Sequence, residues 1–167
     1  GLRFGCLLAV NAAEHLHGRP RILFWQPVLA GRVFLHQFLR LKIAGNALAD
    51  SLQTISTKDL LQVLKDGIPQ TIAGYELAPD LAVPMERAEF RVRSGDIGKI
   101  AVCELAASEG ERTLSPGLAR NVSAWQASGC GVHWEAVDDL PFWQTQEIAD
   151  GPGFRGATLR LIEHLRT

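Results

Sequence analysis

The sequence predicts an α/β protein with a mostly parallel sheet flanked by helices. An apolar helical stretch over residues 4–16 is followed at once by a short apolar run over residues 21–26. Two later runs, residues 99–106 and 132–137, have the length and composition of buried strands, and a helical pattern follows each. Buried strands that alternate with helices are typical of parallel sheets covered on both faces.

The first helix and strand have clear boundaries. Residues 4–16 are apolar nearly all round, which predicts a buried helix, and Gly18 follows as a helix stop. The apolar run 21–26 ends at Pro27, which favours a buried strand.

A mostly helical insertion is expected over residues 32–90. Its first part, residues 32–52, has helical apolar spacing. Ser56 or Thr57 is placed to cap a second helix, because hydroxyl side chains accept from the free N–H groups of a first turn. A short helix is expected from Pro79, since proline fits a first helical turn.

The sheet pattern resumes in the second half of the chain. After the strand at 99–106, Ser115 is predicted to cap a helix that has Pro116 at its first position. The strand at 132–137 is followed by a terminal helix that packs on the sheet. The predicted inner face of that helix consists of Phe154, Thr158, Leu161, Ile162 and Leu165.

Composition excludes several classes of protein. With 17 basic and 18 acidic residues, the chain lacks the positive charge of a typical nucleic-acid-binding protein. No apolar stretch approaches the ~18 residues of a membrane span. Cys6, Cys103 and Cys130 lie in or beside apolar runs, as reduced core thiols of a cytoplasmic protein do. The five histidines have no metal-ligand spacing with them, so we expect neither a metal nor a cofactor.

The first five residues, Gly1-Leu2-Arg3-Phe4-Gly5, have the G-x-X-x-G spacing of a nucleophile elbow. The flanking glycines of such an elbow avoid clashes where a strand turns sharply into a helix. Arg3 holds the central position, and a guanidinium is not a nucleophile. The alternative is an ordinary tight turn with an exposed arginine.

Further motifs carry a resemblance to a known family. They are Phe24-Trp25-Gln26-Pro27-Val28 with Gly31, Gln37-Phe38-Leu39-Arg40-Leu41, Ala73-Gly74-Tyr75-Glu76-Leu77 and Phe142-Trp143-Gln144-Thr145. Together with the elbow, they resemble the α/β-hydrolase superfamily, and within it the second hydrolase family associated with exosortase A systems.

The resemblance implies the C-terminal portion of an α/β-hydrolase fold, with the N-terminal strands absent from this chain. Residues 1–31 would be the elbow, helix and strand of the hydrolase core. Residues 32–90 would be a helical cap, and residues 91–167 the remainder of the core. An arginine at the elbow position is then expected, not a defect.

A hydrolase of this fold needs an acid after the strand at 99–106. Glu109 and Glu111 lie in that loop, and Glu111 is nearer the position expected before Pro116. Its role would be to orient a base or to pair with Arg3 or Arg112. The alternative is a pair of solvated loop carboxylates.

The base of a catalytic triad is not found. No histidine follows the last strand, since His133 comes too early and His164 lies on the terminal helix. Asp138 or Asp139 would serve as a general base if buried. Cys6, in the first turn of the elbow helix, is either a thiolate or, more simply, a small core residue.

Other residues suggest binding. Arg3 lies at a helix N-terminus, where backbone N–H groups and a guanidinium attract anions. Trp25, Gln26, Phe142 and Trp143 follow strands, at the edge where α/β folds bind ligands. They predict a small acyl or sugar-like anionic ligand, although Trp25 and Trp143 also fit as core residues.

A basic stripe is the last candidate site. Arg32, His36 and Arg40 recur every four residues and so share one helix face. They suit peripheral contact with acidic lipid headgroups, or simply a solvated surface.

Two functions therefore remain open. One is hydrolysis of an ester or related acyl bond, linked to exosortase and exopolysaccharide systems, with Arg3 and Glu111 as catalytic candidates. The other is a catalytically inactive module that binds an anionic ligand or a partner.

Overall fold

The computed structural model describes residues 1–48, 55–93, 95, 97–106, 110, 112–145, 147 and 149–167. Its elements are α1 (Phe4–Ala13), β1 (Arg21–Trp25), α2 (Gly31–Leu48), α3 (Thr57–Lys65), β2 (Gln70–Ile72), β3 (Tyr75–Leu77), α4 (Pro79–Arg87), β4 (Lys99–Leu105), α5 (Pro116–Ala127), β5 (Gly131–Val137) and α6 (Pro152–Arg166). A short 3-10 turn, Phe142–Gln144, lies between β5 and α6. These residues form two compact units, residues 1–29 with 90–167, and residues 30–89.

The larger unit is built on a three-stranded parallel sheet with the order β1–β4–β5. Trp25 lies beside Cys103, and Cys103 beside Glu135, so the carboxyl ends of the strands share one edge. The predicted α/β class, with a mostly parallel sheet flanked by helices, is confirmed for the described residues.

Both faces of this sheet are covered. Helix α6 packs on the face that carries Trp25 and the odd-numbered core residues of β4 and β5. Their shared cluster is Ala101, Cys103, Val137, Phe154, Ala157, Leu161 and Leu165. On the other face, the Phe24 ring lies 4.8 Å from Phe90 and 6.5 Å from Trp125 of α5. Full burial of a side chain such as Phe24 contributes about 1.5–3 kcal/mol.

The smaller unit, residues 30–89, contains α2, α3, α4 and an antiparallel hairpin of β2 and β3. Ser56 caps α3 as predicted, because its hydroxyl accepts from Asp59 N at 3.2 Å. The hairpin is not apparent in the sequence, since its three-residue strands are too short to show a period. Its turn places Ala73 at φ 49° and Gly74 at φ 83°. Residues 49–52, the end of the helical stretch predicted over residues 32–52, lie outside the described residues.

Three predicted packing details are wrong. The apolar pattern predicts burial all round the first helix, but Leu8 and Leu16 are 56% and 57% exposed. A helix that lies on a sheet buries only its facing side. Ser115 makes no side-chain cap on α5, and its hydroxyl bonds to Glu104 instead. Ile162 is 40% exposed, because α6 turns its Ala157 face inward.

Candidate functional site

Residues 1–3 form an extended segment that pairs in parallel with β1 and leads directly into α1. Gly1 O accepts from Trp25 N at 2.8 Å, and Arg3 N donates to Trp25 O at 2.9 Å. Arg3 has φ 51° and ψ −122°, a left-handed conformation that residues with side chains rarely adopt. The predicted sharp turn into a helix is therefore present, with Arg3 at its apex.

The two glycines of the turn are not equivalent. A Cβ on Gly1 would lie 2.6 Å from Gly5 O and 2.8 Å from Cys6 N, so only glycine fits there. A Cβ on Gly5 would meet no atom within 4 Å. The steric reason predicted for both flanks holds for Gly1 and is wrong for Gly5.

The guanidinium of Arg3 has no partner in the described part of the chain. Arg3 is half-buried, and no described carboxylate forms an ion pair with it. Glu109 and Glu111, the predicted acids, lie outside the described residues. Pairing of Glu111 with Arg3 or Arg112 therefore stays a prediction.

In the first turn of α1, two backbone N–H groups are hydrogen-bonded within the turn and the thiol of Cys6 is buried. Gly5 N and Cys6 N donate to Leu2 O and Arg3 O at 2.8 and 3.0 Å, so these N–H groups are already used. These two groups are therefore not free to bind an anion, and anion binding at this helix N-terminus stays a prediction. Cys6 is fully buried, and burial raises the pKa of its thiol to about 11. Burial therefore disfavours a thiolate at Cys6, and its side chain fills the core.

An aromatic cleft of about 320 Å³ lies at the carboxyl end of β1. Trp25, Phe142 and Phe154 form its walls, and the Trp25 ring lies 5.9 Å from each of the other two. Arg155 and Asp150 line it as an exposed ion pair, with Nη1 3.0 Å from both carboxylate oxygens. The cleft is therefore apolar inside and polar at its rim.

Two indole N–H groups in this aromatic cluster lack acceptors. Trp143 packs edge-on against Phe142 at 5.0 Å and Phe154 at 5.4 Å. The Nε1 atoms of Trp25 and Trp143 are buried, and neither has a hydrogen-bond partner among the described residues. A buried donor without an acceptor costs about 1–3 kcal/mol, so these two N–H groups are an unfavourable feature of the cluster.

Gln26 lies apart from the cleft and holds the sheet together. Its backbone N donates to Cys103 O at 2.7 Å, and its Oε1 accepts from Leu105 N at 2.6 Å. Gln26 has φ 44°, which lets its side chain extend the pairing of β1 with β4. Of the four predicted binding residues, the structure brings together Trp25, Phe142 and Trp143.

Sequence reasoning missed a buried acid. Glu104 is only 5% exposed, and its carboxylate accepts from Ser115 N at 2.7 Å and Ser115 Oγ at 2.8 Å. The available signal was a single glutamate inside the apolar run Val102-Cys103-Glu104-Leu105. Its oxygens tie the start of α5 to β4.

The aspartates after β5 have a structural role. Asp139 Oδ2 accepts from Phe154 N at 2.9 Å, so this carboxylate caps the first turn of α6. Gly153 leaves room for it, since a Cβ there would lie 3.0 Å from Asp139 Oδ2. Asp138 is exposed. The burial expected of a general base is therefore missing at Asp138.

His133 and His164 lie away from the turn at Arg3. His133 is in register with Ala101, two residues before the level of Trp25. Its ring stacks on His164 with centroids 4.0 Å apart. Partial desolvation, with the neighbouring charge of His164, lowers the pKa of the exposed His133. Neither ring is placed to act as a base at the elbow.

The basic stripe lies on α2, in the smaller unit. Arg32 and Arg40 are exposed, whereas His36 is half-buried and its Nε2 lacks a partner among described residues. No helix in the described ranges is long and apolar enough to cross a membrane. Contact of this stripe with lipid headgroups stays a prediction.

Within the described ranges, no group of three or more His, Cys, Asp or Glu residues is arranged to hold a metal ion. Comparison with protein-family models, curated proteins and solved structures gives no match.

Proposed function

We propose that this protein binds a small amphiphilic molecule, with an apolar part in the aromatic cleft and an anionic group recognised by Arg3. The cleft of about 320 Å³ carries the proposal, because aromatic rings line its interior and an ion pair of Arg155 with Asp150 lies at its rim. Small-molecule sites are mostly apolar, with a few polar groups that fix orientation. An acyl or sugar-like anion has both properties.

Arg3 supports the anionic half of the ligand. Its backbone N bonds to the carbonyl of Trp25, so it adjoins a residue that lines the cleft. A guanidinium stays charged at any ordinary pH and binds carboxylate or phosphate with two parallel hydrogen bonds.

Binding is favoured over catalysis by what surrounds the elbow. Arginine replaces a nucleophile there, Cys6 is a buried thiol, and the stacked pair of His133 and His164 lies at a different level of the sheet. An acyl transfer needs a nucleophile with a base in hydrogen-bond reach. The described residues supply no such pair at this edge.

A second candidate is hydrolysis of an ester or related acyl bond. The backbone of Arg3 favours it, because an extended segment that turns through φ 51° into a helix is the geometry of an elbow. The chain would then be an α/β-hydrolase-fold protein linked to exosortase systems, as its sequence resemblance implies. Arg3 would stabilise negative charge on the acyl oxygen.

A titration with decanoate, followed by tryptophan fluorescence, tests the binding proposal. Leu159 lines the cleft and is 63% exposed, so Leu159→Arg fills the cleft without disturbing the core. We expect the decanoate affinity to fall at least tenfold. Leu8→Arg, at an exposed site on α1, is the matched control and keeps wild-type affinity. Equal affinity in Leu159→Arg and the wild type overturns the proposal.

The role of Arg3 is tested with a charged and an uncharged ligand. Arg3→Ala should weaken the binding of decanoate about tenfold and leave the binding of decanol unchanged. Arg120→Ala is the control, because Arg120 is exposed on α5. Short acyl esters and thioesters are offered to the same variants. Turnover by the wild type that Arg3→Ala abolishes would replace the binding proposal with the hydrolase candidate.

A further inference from the structure

One side of β5 is an open sheet edge, since no described strand pairs with it. Val137 O accepts from Ala106 N at 2.8 Å, which fixes the direction of its peptide groups. In a parallel strand, a residue directs its N–H and C=O to the same neighbour, and the next residue directs them to the opposite side. Val137 and Glu135 therefore bond to β4, whereas Trp134 and Ala136 direct their backbone groups outward.

This edge lacks the usual protection against pairing. The seven residues of β5 include no proline and no lysine, and their register with β4 is continuous, without a bulge. Trp134 is 40% exposed there. A cleft of about 320 Å³ runs along the edge, beside Trp134 and Ala136. Backbone groups at an accessible edge are a template for a further strand.

The charges along the cleft favour one kind of partner. Arg112 and Arg160 line it together with Glu135 and Asp138, and Arg160 already bonds to Glu135. Two cations balance two carboxylates, so an acidic or a basic peptide finds no net attraction. A mixed set of charges is complementary to itself when a two-fold axis relates two copies.

We propose that β5 pairs antiparallel with β5 of a second copy of this chain, about a two-fold axis at Trp134. Residue 134 is the midpoint of Gly131–Val137, so this register pairs the whole strand. Trp134 meets its own copy, and aromatic cross-strand pairs are stabilising.

The same register matches the neighbouring side chains. Glu135 lies opposite His133 of the second copy, which pairs a carboxylate with an imidazole. Val132 of that copy lies opposite Ala136. The two parallel sheets join into one continuous sheet through main-chain hydrogen bonds.

Sedimentation velocity over a range of concentrations tests the surface. Trp134→Lys places a charge on the axis, and we expect the dimer to weaken at least tenfold. Leu8→Lys is the matched control, because Leu8 is exposed on α1, away from this edge. A wild-type chain that stays monomeric at about 200 µM overturns the proposal, as does a dimer that Trp134→Lys leaves unchanged.

Oxidative cross-linking tests the register, and it decides if Trp134→Lys fails to fold. Residues paired by two hydrogen bonds have Cα atoms about 5.5 Å apart, within disulfide range. Trp134→Cys should therefore form a covalent dimer with itself. Leu8→Cys and the wild type, which both retain half-buried Cys130 besides the buried Cys6 and Cys103, give the background. No dimer above that background overturns the proposed axis.

Discussion

Replacing Arg3 with glycine should stabilise the protein relative to replacing it with alanine. Arg3 has φ 51° and ψ −122°, and an alanine there keeps the Cβ that makes this conformation unfavourable. Glycine has no Cβ and adopts positive φ freely. The hydrogen bonds of Arg3 N to Trp25 O and of Cys6 N to Arg3 O involve only the backbone, so both variants retain them.

The expected difference follows from two opposing terms. A strained backbone conformation costs about 1–3 kcal/mol, which glycine recovers. Glycine also gives the unfolded chain more freedom, which costs about 0.5–1 kcal/mol. Arg3→Gly should therefore be more stable than Arg3→Ala by about 1 kcal/mol, within limits of about 0–2.5 kcal/mol.

Urea unfolding of the two variants measures this difference in free energy. Ser123, exposed on α5, gives the matched pair Ser123→Ala and Ser123→Gly. There glycine should be the less stable by about 0.5–1 kcal/mol, because no positive φ is required. If glycine is less stable than alanine at position 3, as it is expected to be at position 123, the elbow conformation is not strained and the reasoning fails.

Three further predictions concern Ser115, the reactivity of the cysteines and the protonation of His133. Ser115→Ala removes one donor to the buried carboxylate of Glu104 and should lower the free energy of unfolding by about 1.5–3 kcal/mol, as measured in urea. At pH 8 a thiol reagent should label half-buried Cys130 first, because full burial and a pKa of about 11 protect Cys6; equal labelling rates would contradict this. Partial desolvation and the stacked His164 lower the pKa of the exposed His133 below its ordinary 6.5, so the unfolded chain binds the proton more readily. The wild type is then most stable above pH 6.5 and loses stability as the pH falls through the pKa of His133 in the folded protein. Between these two pH values, the Tm of His133→Gln should fall less than that of the wild type.

Local sequence signals were sufficient where one residue and its near neighbours settle the structure. The Ser56 cap depends on Asp59 three residues later, and both hydrogen bonds of the capping box form. Pro79 begins α4 as expected of its fixed φ. The strands β4 and β5 were found because apolar runs of this length require burial.

Contacts between distant residues were beyond such signals. The bond from Ser115 to Glu104 spans 11 residues, and the cap of α6 by Asp139 spans 15. The sequence instead predicts that Ser115 caps α5 and that Asp139 is a candidate general base. A hydroxyl or a carboxylate has several suitable partners nearby in the sequence, so the sequence does not select the distant one. The cleft around Trp25 joins residues more than 100 apart, which no periodicity relates.

The sequence by itself determined the order of elements in the larger unit, the parallel sheet and the sharp turn at Arg3, because apolar spacing and glycine sterics act over a few residues. Only the tertiary structure decided that Gly1 is sterically required and Gly5 is not. It also decided that Cys6 and Glu104 are buried, and that Trp25 shares a cleft with Phe142. Burial and hydrogen bonding depend on which surfaces meet, and that is fixed by packing across the sheet.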